Sequence, residues 1–212
     1  MEVGKLVKYD NDFLYYKVPA PPTFIVERNL LETAWVLFND GRTLSPMQRK
    51  KCYALLRDIS LYSGHHTEEL KDIFKAELIA RTGEPDFSLS DCSVSTANAF
   101  IEMLIEFCLE HGVPCRDTLL EHAPDIGKFL FMCLYHKKCC VCQKAANLHH
   151  HDRVGIGRNR KEILHEGMLA QALCHKHHME AHNGQKSFDA KYYVFGIKLD
   201  KILCKKWNLK HS

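Results

Sequence analysis

The chain carries two short motifs with the spacing of metal ligands, Cys139-x-x-Cys142 and Cys174-x-x-His177. A gap of two residues lets one tight turn present both ligands to the same ion, and Zn²⁺ takes four such ligands in a tetrahedron. One ion bound by all four residues would tie together two distant parts of the chain, so we predict a structural zinc site. Cys140 is a competing first ligand, although Cys140-x-Cys142 is a poorer spacing for a turn.

Histidines lie between and behind these two pairs. The stretch NLHHHDRVGIGRNR, residues 147–160, carries three consecutive histidines where a strand would carry apolar residues. Behind the second pair, His178 and His182 are four residues apart, so on a helix they face the same way and can bind one ion. The segment therefore predicts a ββα unit clamped by zinc, with a second metal position where the strand meets the helix.

The charged residues are unevenly distributed along the chain. Residues 1–136 carry 14 Lys and Arg against 20 Asp and Glu, whereas residues 137–212 carry 15 against 6. The first part is therefore acidic and the second part, which also holds most of the histidines, is basic. A basic segment favours a polyanionic partner, because its positive field attracts negative charge.

The apolar residues do not indicate a membrane protein. No apolar run reaches the roughly 18–20 residues that a helix needs to cross a bilayer. The first residues, MEVGKLVKYD, lack the apolar core of a secretion signal. We therefore expect a cytoplasmic protein without a membrane partner, in which the ten cysteines are mostly reduced.

The first part of the chain predicts strands followed by helices, which is typical of an α+β fold. Residues 2–8 and 12–18 are expected to form a hairpin, and residues 24–28 a further short strand. Ser45 is a suitable N-cap with Pro46 in the first turn, and Gly64 is a suitable helix end. The predicted helices cover residues 45–64, 67–83, 96–112 (capped by Ser95 or Thr96) and 124–136.

The cysteine- and histidine-bearing segment, CVCQKAANLHHHD with ALCHKHHMEAH, resembles the zinc-supported HNH endonucleases of the ββα-metal type. The resemblance covers roughly residues 136–185. It implies that His149 binds the catalytic divalent ion together with His178 and His182, and that His150 is the general base. A shifted register, with His150 as ligand and His151 as base, remains open. Otherwise His151 is expected to face solvent from its strand.

One position of the family pattern has no direct match. The middle asparagine, which braces the catalytic histidine, is replaced in this neighbourhood by Leu164-His165-Glu166-Gly167. His165 is the candidate substitute and is therefore included among the catalytic residues. Asn147 and Asn159 are weaker candidates.

Phosphodiester hydrolysis suits these residue types. A histidine with a pKa near ~6.5 can deprotonate water, and a divalent cation can stabilise the negative charge that develops on the phosphate. The resemblance implies Mg²⁺, Mn²⁺, Ni²⁺ or Zn²⁺ as the catalytic ion. Basic side chains are expected to bind the DNA backbone. They are Arg153, Arg158, Arg160 and Lys161 near the histidines, and Arg49, Lys50 and Lys51 in the first predicted helix.

The acidic part of the chain has a resemblance of its own. RTLSPMQRKKCYALLRDISLYSG and STANAFIEMLIEFCLEHGV are similar, in pattern and order, to the phage Orf (NinB) recombination-mediator family. This implies a mixed α+β fold that forms a homodimer, binds single-stranded DNA and contacts the single-stranded DNA-binding protein of a bacterial host. We therefore predict an Orf-like body, residues 1–135, followed by a zinc-supported HNH tail, residues 136–212.

Two functions follow from these resemblances. The first is a metal-dependent DNA endonuclease acting on single-stranded, branched or duplex DNA in phage recombination or replication. The second is a non-catalytic, zinc-containing mediator that binds DNA and the host single-stranded DNA-binding protein, an interpretation favoured by the missing asparagine. A zinc-finger transcription factor is disfavoured, because His178 and His182 occupy the helix positions that would read bases.

Overall fold

The computed structural model of the chain describes residues 5–10, 14–17, 43–83, 85–151 and 163–211. The strands are β1 (Lys5–Tyr9), β2 (Leu14–Lys17), β3 (Asn147–His150), β4 (Leu169–Leu173) and β5 (Ile197–Lys198). The first helices are α1 (Pro46–Ser63), α2 (Thr67–Thr82), α3 (Val94–His111) and α4 (Leu119–His122). They are followed by α5 (Ile126–Tyr135), α6 (His175–Asn183), α7 (Gln185–Tyr192) and α8 (Lys201–Lys206). None of the helices in these ranges is both long enough and apolar enough to span a bilayer.

The predicted N-terminal hairpin is confirmed. Strands β1 and β2 pair antiparallel, with Lys5 opposite Lys17 and Tyr9 opposite Leu14. The strand predicted at residues 24–28 lies outside the described residues.

Helix α1 begins and ends where its capping residues predict. The Ser45 side chain accepts a hydrogen bond from the Gln48 backbone at 3.2 Å, and the Gln48 side chain accepts one from the Ser45 backbone at 2.9 Å. This reciprocal pair satisfies two amide groups that the helix itself leaves without partners. Gly64 ends the helix at φ 81°, a backbone conformation that glycine adopts without steric cost.

Helix α3 begins earlier than predicted. Ser93, not Ser95 or Thr96, is its N-cap, because the Ser93 hydroxyl accepts a hydrogen bond from the Thr96 backbone at 3.0 Å. Thr96 is thereby drawn into the first turn of the helix and is buried. The predicted boundary was wrong because three hydroxyl residues follow one another closely and any of them could accept this bond.

Within the described ranges, the buried apolar side chains belong to one core cluster. Helices α1, α2 and α3 pack against one another around Leu55, Leu56, Phe100 and Leu104. Burying each of these large side chains contributes roughly 1.5–3 kcal/mol. Helix α5 packs against α3 and also against β4, β5 and α8, so it joins the helical layer to the C-terminal sheet.

The C-terminal sheet has the antiparallel strand order β3-β4-β5. Asn147 pairs with Leu173 and His150 with Ala170, which fixes the histidine strand against the buried strand β4. Helix α6 follows β4 through Cys174, which completes the predicted ββα order. The chain then adds α7, β5 and α8, and the Trp207 indole donates a hydrogen bond to the Leu134 carbonyl at 2.9 Å. This hydrogen bond holds the last described residues against α5.

His122 makes the fold sensitive to acid. Its imidazole is buried, and neither ring nitrogen has a hydrogen-bond partner among the described residues; the Asp117 carboxylate lies 3.9 Å away. Burial lowers the pKa of His122, although Asp117 opposes this shift. The His122 imidazole is protonated near pH ~6.5 in the unfolded chain, but only at lower pH in the folded chain. The free energy of unfolding is therefore retained above pH ~6.5 and falls as the pH drops below it.

We expect His122→Leu to reduce this loss of stability in acid. The melting temperature of the zinc-bound protein is compared at pH 7.5 and 5.5. Its fall should be smaller in the variant by roughly 2–4 °C for each kcal/mol of acid-induced destabilisation that the substitution removes. His66→Leu is the control, since His66 is exposed. An equal fall in wild type and His122→Leu would contradict the assignment.

Candidate metal centre

The first cysteine pair lies in a tight turn between α5 and β3. The Gln143 backbone donates a hydrogen bond to the Cys139 carbonyl at 2.8 Å, and the Cys139 backbone donates one to the Lys144 carbonyl at 2.8 Å. Gln143 has a φ of 56°, which turns the chain back after Cys142. An isolated bridge between Lys138 and Ala145 closes the turn. This is the knuckle shape that presents two ligands on one side.

The second pair lies at the start of α6. Cys174 is the N-cap of this helix, and the His178 backbone donates a hydrogen bond to the Cys174 carbonyl at 2.8 Å. His177 follows in the first turn of the helix. The helical geometry therefore places both side chains on the side that faces the first knuckle.

The four donor atoms of the two pairs lie close together. Cys139 Sγ and Cys174 Sγ each lie 3.3 Å from His177 Nδ1, and Cys142 Sγ lies 3.6 Å from Cys174 Sγ. All four donor atoms lie within 4.8 Å of one another. Two sulfurs on one tetrahedral zinc are about 3.8 Å apart, since each Zn–S bond is near 2.3 Å. The arrangement therefore fits one zinc ion.

The competing ligand Cys140 does not join this group. Its backbone donates a hydrogen bond to the Ala172 carbonyl at 3.0 Å, and its side chain is fully buried in the apolar core. Cys139 is also buried, and burial raises the pKa of its thiol to about 12. Because zinc binds the thiolate, zinc binding at Cys139 would release a proton.

A second cluster lies where β3 meets α6. The rings of His149, His178 and His182 are neighbours, with centroid distances of 4.7 Å between His149 and His178 and 5.0 Å between His149 and His182. One nitrogen from each ring lies within 4.8 Å of the others. His149 is buried, His178 is half-buried and His182 is exposed, so the cluster opens to solvent on one side.

The histidine cluster also fits a cation by its chemistry. His149 Nε2 lies 2.6 Å from Gln185 Oε1, whereas His149 Nδ1 is buried without a hydrogen-bond partner among the residues that the structure describes. A buried nitrogen without a partner is costly unless something binds it. Burial lowers the pKa of both His149 and His178, which favours the neutral imidazole that a metal requires.

His150 lies on the opposite face of β3 from His149, because successive strand residues alternate. Its Nε2 lies 3.0 Å from Nδ1 of His165, a buried residue in the turn before β4. The His165 backbone is fixed in turn by a hydrogen bond to the Lys210 carbonyl at 3.0 Å. The asparagine alternatives lie elsewhere: Asn147 is exposed at the start of β3, and Asn159 is outside the described residues.

His151 does not face solvent as predicted. Its side chain is 14% exposed, and its Nε2 lies 3.1 Å from Gln185 Nε2. Strand alternation places His151 on the same face as His149, and both contact Gln185. The shifted register would need His150 beside His178, but the structure places His149 there and directs His150 to His165.

The predicted DNA-binding residues divide into two groups. Arg153, Arg158, Arg160 and Lys161 lie outside the described residues. In α1, the Arg49 guanidinium donates to the Leu89 carbonyl at 2.8 Å and to the Ser90 carbonyl, and Lys51 Nζ lies 3.5 Å from the His122 carbonyl. Lys50 is exposed. Arg49 and Lys51 therefore have contacts within the fold besides any role in binding.

Three polar residues behind the histidine cluster were not predicted from the sequence: Gln171, Gln185 and Asp189. Gln171 is 1% exposed and lies opposite His149 in the sheet. A glutamine inside the apolar strand LAQAL was a usable signal, because a buried amide needs partners. Gln185 and Asp189 gave no such signal, since they lie in a polar helix.

A comparison with models of protein families found a match to this chain. The family model described as "Putative HNHc nuclease" matches residues 17–210, which includes most of the acidic part of the chain as well as both metal-ligand clusters. The comparisons with curated proteins and with solved structures gave no match.

Proposed function

The chain belongs to the HNHc nuclease family, and we propose that it is a metal-dependent DNA endonuclease whose catalytic ion is bound by His149, His178 and His182. The convergence of these three imidazoles, with a buried Nδ1 on His149 that lacks a partner among the described residues, carries the proposal. A divalent ion bound there supplies positive charge that stabilises the transition state of phosphodiester hydrolysis.

His150 is the proposed general base. When its Nε2 donates a hydrogen to His165 Nδ1, the basic lone pair of His150 lies on Nδ1, and this atom takes the proton from the attacking water. His165 is the proposed brace in place of the family asparagine, because it is buried and 3.0 Å from His150. A braced imidazole keeps one ring orientation, which hydrolysis requires.

In this proposal the zinc knuckles have a structural role. Cys174 is the residue between β4 and α6, and Cys139 precedes β3. One Zn²⁺ held by Cys139, Cys142, Cys174 and His177 would fix the distance between the strand of His149 and the helix of His178 and His182. The two ions thus have separate tasks, one structural and one catalytic.

The remaining parts of the proposal concern substrate and partners. We propose that Arg153, Arg158, Arg160 and Lys161 bind DNA phosphates, and that Lys50, with Arg49 and Lys51, adds a contact from α1. We further propose an Orf-like body over residues 1–135 and a nuclease tail over residues 136–212. The body would form a homodimer and contact the host single-stranded DNA-binding protein during phage recombination in the bacterial cytoplasm.

Cleavage assays test the proposed activity. The zinc-loaded protein is incubated with supercoiled, nicked, branched and single-stranded DNA in Mg²⁺, Mn²⁺, Ni²⁺ or added Zn²⁺. We expect cleavage of at least one substrate with at least one ion, and EDTA should stop it. Binding of DNA without cleavage under every condition would support the alternative, a non-catalytic zinc-containing mediator.

A further inference from the structure

A network of polar side chains lies directly behind the histidine cluster. It consists of Gln171 on β4, Gln185 and Asp189 on α7, and His149 and His151 at the end of β3. Gln171 is fully buried, and the Asp189 side chain is 23% exposed. Helix α7 packs against α6, the helix that carries His178 and His182. The network therefore connects two elements of the metal centre.

Asp189 fixes the orientation of both amides in this network. Gln185 Nε2 lies 2.9 Å from Asp189 Oδ1, and Gln171 Nε2 also lies 2.9 Å from that oxygen. An ionised carboxylate accepts hydrogen bonds and cannot donate them, so both amides must turn their NH₂ groups towards it. Gln185 Nε2 lies 3.3 Å from Gln171 Oε1 as well, a second acceptor on the same side.

The orientation of Gln185 decides the tautomer of His149. Since the NH₂ group of Gln185 faces Asp189, its Oε1 faces His149 Nε2, at 2.6 Å. An amide oxygen accepts only, so His149 Nε2 must carry the hydrogen. In the neutral ring the lone pair is then on Nδ1, the buried nitrogen that faces no partner in the described residues.

We propose that Asp189, acting through Gln185, is a positioning residue that holds His149 in the Nε2–H tautomer and so reserves Nδ1 for the ion. This inference rests on the proposed role of His149 as a metal ligand. Hydrogen-bond partners behind a ligating histidine generally set its tautomer and its orientation. Here the partner is a glutamine whose own orientation is set by a carboxylate.

His151, the third consecutive histidine, also belongs to this network. The Gln185 NH₂ group lies 3.1 Å from His151 Nε2, and His151 Nδ1 lies 4.0 Å from Asp189 Oδ2. Gly196 makes room for this ring, because a Cβ atom there would come within 2.9 Å of it. When the hydrogen of His151 is on Nδ1, its Nε2 accepts a hydrogen bond from the Gln185 NH₂ group, which disfavours a flipped amide.

The test uses Asp189→Asn, which keeps the shape but lets the Gln185 amide turn over. We expect its affinity for Mn²⁺ at the histidine site, measured by calorimetry on zinc-loaded protein, to fall about 10–100-fold. In protein without Mn²⁺, ¹⁵N NMR of labelled histidine should show His149 shifting towards the Nδ1–H tautomer. Asp72→Asn, at an exposed aspartate of α2, is the matched control and should leave both readouts unchanged.

A rescue variant separates positioning from loss of structure. In Asp189→Asn with Gln185→Glu, the new carboxylate accepts from His149 Nε2 and the new amide donates to that carboxylate, so the tautomer and most of the Mn²⁺ affinity should return. If Asp189→Asn keeps the wild-type affinity and tautomer, or if the double variant stays as weak as the single one, the inference is wrong. Loss of Mn²⁺ binding in His149→Ala but not in Asp189→Asn would overturn this inference alone. Unchanged Mn²⁺ binding in His149→Ala would instead overturn the proposed metal site.

Discussion

His150→Ala should lose DNA cleavage by about 10²- to 10⁴-fold while keeping both ions and the affinity for DNA. The size follows from the usual contribution of a positioned general base. His150 is half-buried at the end of β3 and is not a member of either ligand cluster, so its truncation should leave metal binding intact. Cleavage rates under saturating DNA, with metal content determined on the same samples, measure the effect.

Two further variants make this result specific. His165→Ala should reduce the rate by a smaller factor, because it removes the brace of the general base and not the base itself. His175→Ala should cleave at the wild-type rate, since His175 is an exposed histidine on α6. Cleavage by His150→Ala at the wild-type rate would remove His150 from the mechanism.

Cys139→Ala should abolish zinc binding and unfold the tail. Structural zinc contributes about 10–16 kcal/mol of apparent binding free energy in small zinc domains, which is comparable to the whole unfolding free energy of a typical domain, about 5–15 kcal/mol. Without the ion, the turn before β3 is no longer tied to the start of α6 by metal–ligand bonds. We expect loss of bound zinc, loss of hydrogen-exchange protection in β3 and β4, and no cleavage.

Cys140→Ala is the matched control for that experiment. Cys140 is the neighbouring cysteine, it is equally buried, and its side chain belongs to the apolar core. The substitution should cost stability through lost packing but should keep one zinc ion bound. If Cys139→Ala retains zinc and Cys140→Ala loses it, the first zinc ligand is Cys140 and the knuckle has the less favourable Cys140-x-Cys142 spacing.

The elements with local signals could be predicted from the sequence. Ser45, Pro46 and Gly64 define α1 because each acts within one turn of the helix, and the structure confirms them. The antiparallel hairpin and the order of the ββα unit also follow from local patterns. Strand β5 could not be found, since its two residues, Ile197–Lys198, are a strand only because β4 lies beside them.

In the candidate site, too, features set by nearby residues could be predicted and features set by tertiary packing could not. The spacing within each knuckle and the four-residue step from His178 to His182 are local, so they could be read directly. The position of Gln185 behind His149 is set by the packing of α7 and leaves no local trace. The burial of His151 was available from strand alternation, because a residue two positions after the buried His149 lies on the same face.

In the proposed site, His149, His178 and His182 bind one divalent ion separately from the zinc knuckles. The most direct measurement is the metal stoichiometry of the wild-type chain and of His149→Ala with His178→Ala, by elemental analysis and Mn²⁺ titration. We predict one tightly bound zinc in both proteins, and one exchangeable Mn²⁺ in the wild type only. The same Mn²⁺ stoichiometry and affinity in both proteins would show that these histidines do not bind the ion.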